Sequence, residues 1–107
     1  MASRLDLHRE FIKVLGTEGE PISRVYFQPP ASVLMQYDAI RYKLTGKSIT
    51  RANNKAYLIV NEYEGVFITR DPDTKIPDDI LSRFEMCSFG TPYVSNSLYH
   101  FPFTIYY

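Results

Sequence analysis

The sequence predicts an α+β fold: a mostly antiparallel sheet flanked by an N-terminal helix and a short second helix, in a single domain. Three observations carry this. Leu5, His8, Phe11, Ile12 and Leu15 recur at helical spacing near the start of the chain. Later stretches alternate apolar and polar residues with the period of a half-buried strand, as in Ile40, Tyr42 and Leu44 against Arg41 and Lys43. Between strand-like stretches, "DPDTKIPDDILSRF" has the composition of a turn followed by a short helix. The 107 residues suit one domain, 1–107, with one modest core.

Taken in order, Ser3 is a candidate N-cap with Asp6 three positions on, and Gly16 stops the first helix. "TEGEPIS" is then a polar surface connector. Residues 23–28 read as a strand that Pro29 and Pro30 end, because neither can donate to a ladder; Gln28, preceding a proline, is biased to extended geometry. Residues 39–44 form the next strand. "TRANNK" is turn-prone, and Asn53 and Asn54 tolerate left-handed geometry, which fits a hairpin tip or a projecting arm. "AYLIV" is apolar enough for either a strand or a tucked loop. "EYEGVFITR" is a strand with Gly65 as a candidate bulge. In the second helix Pro77 suits the first position, Asp78 and Asp79 its positive end, and Ile80, Leu81 and Phe84 its apolar stripe. The remainder reads as two strands around a "GTPYVSNS" loop. In the last, Tyr99, Phe101, Phe103, Ile105 and Tyr107 share one face. Expected core positions include Phe11, Leu15, Ile40, Phe67, Leu81 and Phe103.

Composition narrows the functional classes. Hydrophobic residues at 45% and charged residues at 22% are an ordinary globular balance. Twelve basic and twelve acidic residues cancel, so there is no global field for nucleic acid or an anionic membrane. Nine tyrosines and seven phenylalanines are many for this length, and tyrosine buries a ring while keeping a polar tip paired, as interfaces require. The single Cys87 excludes an internal disulfide and a multi-cysteine zinc site, so a reducing compartment is the default. The N-terminus has no signal-like apolar run, and no stretch approaches the ~20 apolar residues of a membrane span. A soluble protein made in the cytoplasm is expected, with no membrane partner.

No reactive constellation stands out. His8 and His100 lie far apart in sequence with no second ligand at metal-binding spacing. Cys87 lacks a basic neighbour that would stabilise a thiolate. The four aspartates of "DPDTKIPDD" lack the calcium-loop pattern and its closing glutamate, so turn and capping duties explain them. Gly16 and Gly19 form no phosphate loop. No enzyme, metal or cofactor is therefore expected. "GKSITRANNK" carries Lys47, Arg51 and Lys55 with no acid between them, which fits a protein-contact arm or solvated loop better than a phosphate grip, given the neutral total charge.

Six stretches in sequence order carry a resemblance: the opening "SRLDLHREFIKVLG", "VYFQPP", "YDAIRY", "ANNKAY", "DPDTKIPDDIL" and the ending "NSLYHFPFTIYY". Together they resemble the tail terminator, tail completion or neck proteins of tailed bacteriophages. The resemblance implies a small α+β virion subunit that forms a ring, generally a hexamer, at the head-proximal end of the tail. Such a ring caps the tail tube and serves head–tail joining. The implied partners are further copies of itself, the tail tube protein and the head–tail connector proteins, with at most weak non-specific contact with DNA. A head-completion or stopper protein of the neck, and a small nucleic-acid-binding module, are the alternatives. Interface candidates are Tyr26, Gln28, Arg51, Asn53, Asn54, Tyr99 and Tyr107.

Overall fold

The structure is a computed structural model that describes residues 4–21, 23–29, 35–52 and 55–107, with the backbone alone at 48–52 and 55–60. Ser3, Asn53 and Asn54 lie outside the described residues. The element order is α1 (Arg4–Leu15), β1 (Val25–Phe27), β2 (Ala39–Ala52), β3 (Lys55–Thr69), α2 (Ile76–Arg83), β4 (Cys87–Phe89), β5 (Tyr93–Ser95) and β6 (Leu98–Tyr106). One six-stranded sheet runs β1-β2-β3-β6-β4, and β5 also pairs with β6. Only the β1–β2 pairing is parallel. This is the α+β arrangement that the periodicities predict.

Helix α1 ends as its glycine requires. Gly16 has φ +72°, its N–H donates to the Lys13 carbonyl, and the Thr17 N–H reaches back to Ile12. This pair of bonds is the Schellman arrangement, which satisfies the last carbonyls of the helix. Thr17 is buried and its hydroxyl donates to the Ser23 carbonyl at 2.5 Å, pinning the connector across its span. Helix α1 presents Leu7 and Phe11 to the sheet. The Phe11 ring meets Tyr42 of β2 at 5.1 Å, Phe84 after α2 at 5.6 Å and Phe103 of β6 at 5.8 Å between centroids. One side chain thus joins both helical segments to two strands. Beside it Glu10 pairs with Arg83, and that hydrogen bond lowers the carboxyl pKa. The pair is partly exposed, so its contribution is about 1 kcal/mol at most.

Several expectations from sequence are corrected. The first strand is shorter than residues 23–28, because Arg24 (φ 62°) and Gln28 (φ 44°) take left-handed backbone at its two ends. Strand β2 continues eight residues past Leu44, to Ala52, and "AYLIV" is strand. Leu44, expected inward, is 42% exposed: the inward row of β2 runs out from under the helices there, and Thr45 is an extra residue between the pairs Leu44–Tyr63 and Gly46–Glu62. Thr45 ties its hydroxyl to the Glu62 carbonyl. Leu81 is 45% exposed, while Ile76, Ile80 and Phe84 are the residues of this segment that pack on the core. Pro77 is the second rather than the first residue of α2, still within its opening turn.

The "GTPYVSNS" segment is not simply a loop. It contains β5 and a two-residue hairpin turn in which Asn96 (φ 52°) and Ser97 (φ 64°) both lie in the left-handed region, as a type I′ turn demands. Strands β4 and β5 follow one edge of β6, and their registers differ by one residue, so Gly90–Pro92 forms a bulge between them.

Gly65 is not a bulge either. It stands in unbroken register between Tyr42 and Phe103, and a Cβ added there would lie 2.7 Å from Phe103 Cε2. Glycine is needed because an aromatic ring occupies the space of its side chain. Gly65→Ala is therefore expected to lower stability by about 1–3 kcal/mol in urea unfolding. The loss should shrink in a Phe103→Leu background, where the two changes couple. Phe11→Ala should cost about 3–5 kcal/mol in the same measurement.

Candidate functional site

Two features of the sheet remain after the core is accounted for: a face and an arm. The face turned away from the helices carries Arg41, Lys43, Glu64, Val66, Pro102 and Thr104 around a shallow depression of about 730 Å³. Lys43 and Glu64 are register partners and approach to 4.0 Å across it. Its lining combines Arg41, Lys43 and Glu64 with the apolar Val66, Pro102 and Phe103. Among the described residues no group of three or more His, Cys, Asp or Glu could hold a metal ion.

The arm is the far part of the β2–β3 hairpin. Strand β6 accompanies β3 only as far as Glu62–Tyr106, with Asn61 and Tyr107 exchanging the last pair of backbone bonds. On the other side β1 accompanies β2 from Ile40 to Tyr42. Gln28 then closes that edge, its N–H donating to the Tyr42 carbonyl and its Oε1 accepting from the Leu44 N–H at 3.3 Å. Beyond these points the two strands pair only with each other among the described residues, through Ser48–Val60 and Ile49–Ile59 to Ala52–Lys55. Five residues of β2, Ser48 to Ala52, at ~3.3 Å each make an arm about 16 Å long. The molecule accordingly measures 51 × 30 × 27 Å.

The sequence-derived interface candidates fall into three groups. Arg51 lies on the arm, where its backbone pairs with Ala56. Asn53 and Asn54 lie outside the described residues. Tyr26 and Gln28 are engaged with their own chain: the Tyr26 hydroxyl accepts from the Gln36 N–H at 3.1 Å, and Gln28 caps β1 as described. Gln28 therefore does more than end the strand, since its side chain prolongs the ladder where Pro29 cannot. Tyr107 packs edge-on against Phe84 at 5.9 Å, and burial is the first cause of its raised pKa. Tyr99 is half-buried opposite Thr69 and Val94. The arrangement does not gather the described candidates into one patch.

The histidines and the cysteine are structural. Burial pushes the Cys87 thiol up to about 11, far from a reactive thiolate. His100 stacks on Tyr93 at 4.8 Å and contacts the Leu98 carbonyl. Of the four aspartates Asp71 serves the turn, accepting from the Asp73 N–H, while Thr69 bonds both Asp38 and the Asp71 N–H; the expected capping is not found, since the N-cap of α2 is Lys75 without a side-chain cap bond. Sequence reasoning did not single out the β5 edge. Its signal was available, since no Asp, Glu, Lys or Arg occurs from Met86 to Tyr107.

Comparison with protein-family models, curated proteins and solved structures finds no match for this chain. No helix among the described residues is long and apolar enough to cross a membrane.

His8 generates a testable pH dependence. Its Nδ1 and the Tyr42 hydroxyl share a hydrogen bond at 2.7 Å. Burial first, and then the Arg4 charge, lower the His8 pKa. The unfolded chain thus binds a proton more readily than the folded one, and stability falls as pH drops below the ordinary histidine value of about 6.5. Urea unfolding should show a lower midpoint at pH 5.5 than at pH 7.5. His8→Gln should remove most of that difference.

Proposed function

We propose that this protein is a structural subunit of the head–tail junction of a tailed phage, a tail terminator that assembles into a ring and caps the tail tube. The observation that carries the reading is the β2–β3 arm. A two-stranded ribbon without a third strand or a helix over it is marginal in water, so an arm of this length is explained when a partner completes it. Its sequence favours protein as the partner, because Tyr57, Leu58, Ile59 and Val60 are strand formers suited to burial. A rigid base that buries its helices on one side and extends an arm on the other is suited to repeated docking in one register. The sequence resemblance points the same way, and the virion is the location it implies.

The test is the mass of the purified protein by light scattering over a range of concentrations, with and without purified tail tubes. A six-subunit species, alone or on tube ends, is the expected result. A monomer that ignores tubes at every concentration overturns the reading. Arg51→Glu should leave the thermal melting curve unchanged while preventing assembly and tail attachment; normal attachment by that variant would count against the arm.

A further inference from the structure

Among the described residues the arm has an unpaired edge, and β5 presents another at the opposite pole of the molecule. Strand β5 is the outermost strand beside the β5–β6 turn, and its Val94 and Tyr93 are 64% and 46% exposed. Natural sheets protect such edges with charges, prolines or distortion. Here Pro92 and the bulge precede β5, but Tyr93, Val94 and Ser95 carry no charge, nor does any residue from Met86 onward apart from His100 when protonated. The β1 edge is different: left-handed residues at both ends and Pro29 just beyond turn the chain away from any incoming strand.

The geometry of β5 leaves bonding groups outward. A two-residue turn makes Ser95 and Leu98 a hydrogen-bonded pair, so by alternation the N–H and C=O of Val94 point away from β6. Two strand spacings away, about 10 Å across β6, lies Thr69, followed by the exposed Arg70, Asp71, Asp73 and Lys75, whose charges balance. The β5 edge is therefore an uncharged strand template.

The arm offers the other edge. The edge of Lys55–Val60 that faces away from β2 is unpaired among the described residues. These two edges cannot meet within one molecule. Lys55 and Thr69 are the two ends of β3, about 46 Å apart. We propose that the arm of one copy adds as a strand to the β5 edge of a second copy. The contact is head-to-tail, and such an interface closes into a ring when the rotation between copies permits. Backbone hydrogen bonding supplies the affinity. This inference rests on the self-assembly reading and names the surfaces that would carry it.

Two defective variants test it. In one, residues 48–60 are replaced by Asn-Gly, which removes the arm. In the other, Val94→Pro removes the outward N–H at a position where β6 needs no donor. Circular dichroism and thermal melting establish that each folds, and Val94→Lys replaces Val94→Pro if the proline variant does not. Each alone is expected to remain monomeric. Mixed, they should form a 1:1 dimer and nothing larger in native mass spectrometry, because one intact arm and one intact edge remain. A mixture that stays monomeric while the unaltered protein forms rings overturns the arm-to-edge contact and leaves the ring standing. Rings formed by either variant alone, or variants that bind only tail tubes while the mixture stays monomeric, overturn it too. An unaltered protein that remains monomeric at every concentration, with and without tubes, overturns both.

Discussion

The Phe103 ring lies against the bare backbone of Gly65, and that contact sets how closely the helices approach the sheet. Because no side chain intervenes at Gly65, Phe103 lies low enough to meet Phe11 and Phe89 in the same layer. Phe11 in turn reaches Tyr42 and Phe84, so the position of both helical segments follows from the space left over one glycine. Protein interiors pack to near-crystalline density, and a core this small has little slack to redistribute.

That packing serves one face and one part of the sheet. The hydrogen-bond ladder extends beyond it, and its edges are treated unequally. At β1 the side chain of Gln28 substitutes for the backbone that Pro29 cannot supply. At β5 and along the arm no such closure exists among the described residues. A sheet edge is a row of directional donors and acceptors, and leaving one open exposes groups that another strand could pair.

The helices and the inward rows of the strands were legible in the sequence because burial on one face imposes a period on the residues. Phe11, Ile40, Phe67 and Phe103 could be assigned to the core on that basis, and all four are buried. Leu44 and Leu81 fit the same periods and are exposed, since a period gives direction but not what lies opposite. The interface candidates were less legible. Aromatic and amide side chains at strand ends suit either an interface or the subunit's own edge, and Tyr26, Gln28 and Tyr107 have partners within their own chain. The β5 edge escaped notice because its sign is an absence of charge, which no motif records.

By itself the sequence determined the class of fold, the end of the first helix at Gly16 and the turn at Asp71. Each follows from local chemistry: backbone freedom, side-chain hydrogen bonding and apolar period. Only the tertiary structure decided that Gly65 accommodates a ring, that β4 and β5 share one edge of β6, and that the open arm and the open edge lie at opposite ends of β3. Those facts depend on which residues meet across long separations in the chain, and the register of a sheet is fixed by the packing of its whole face rather than by any one strand.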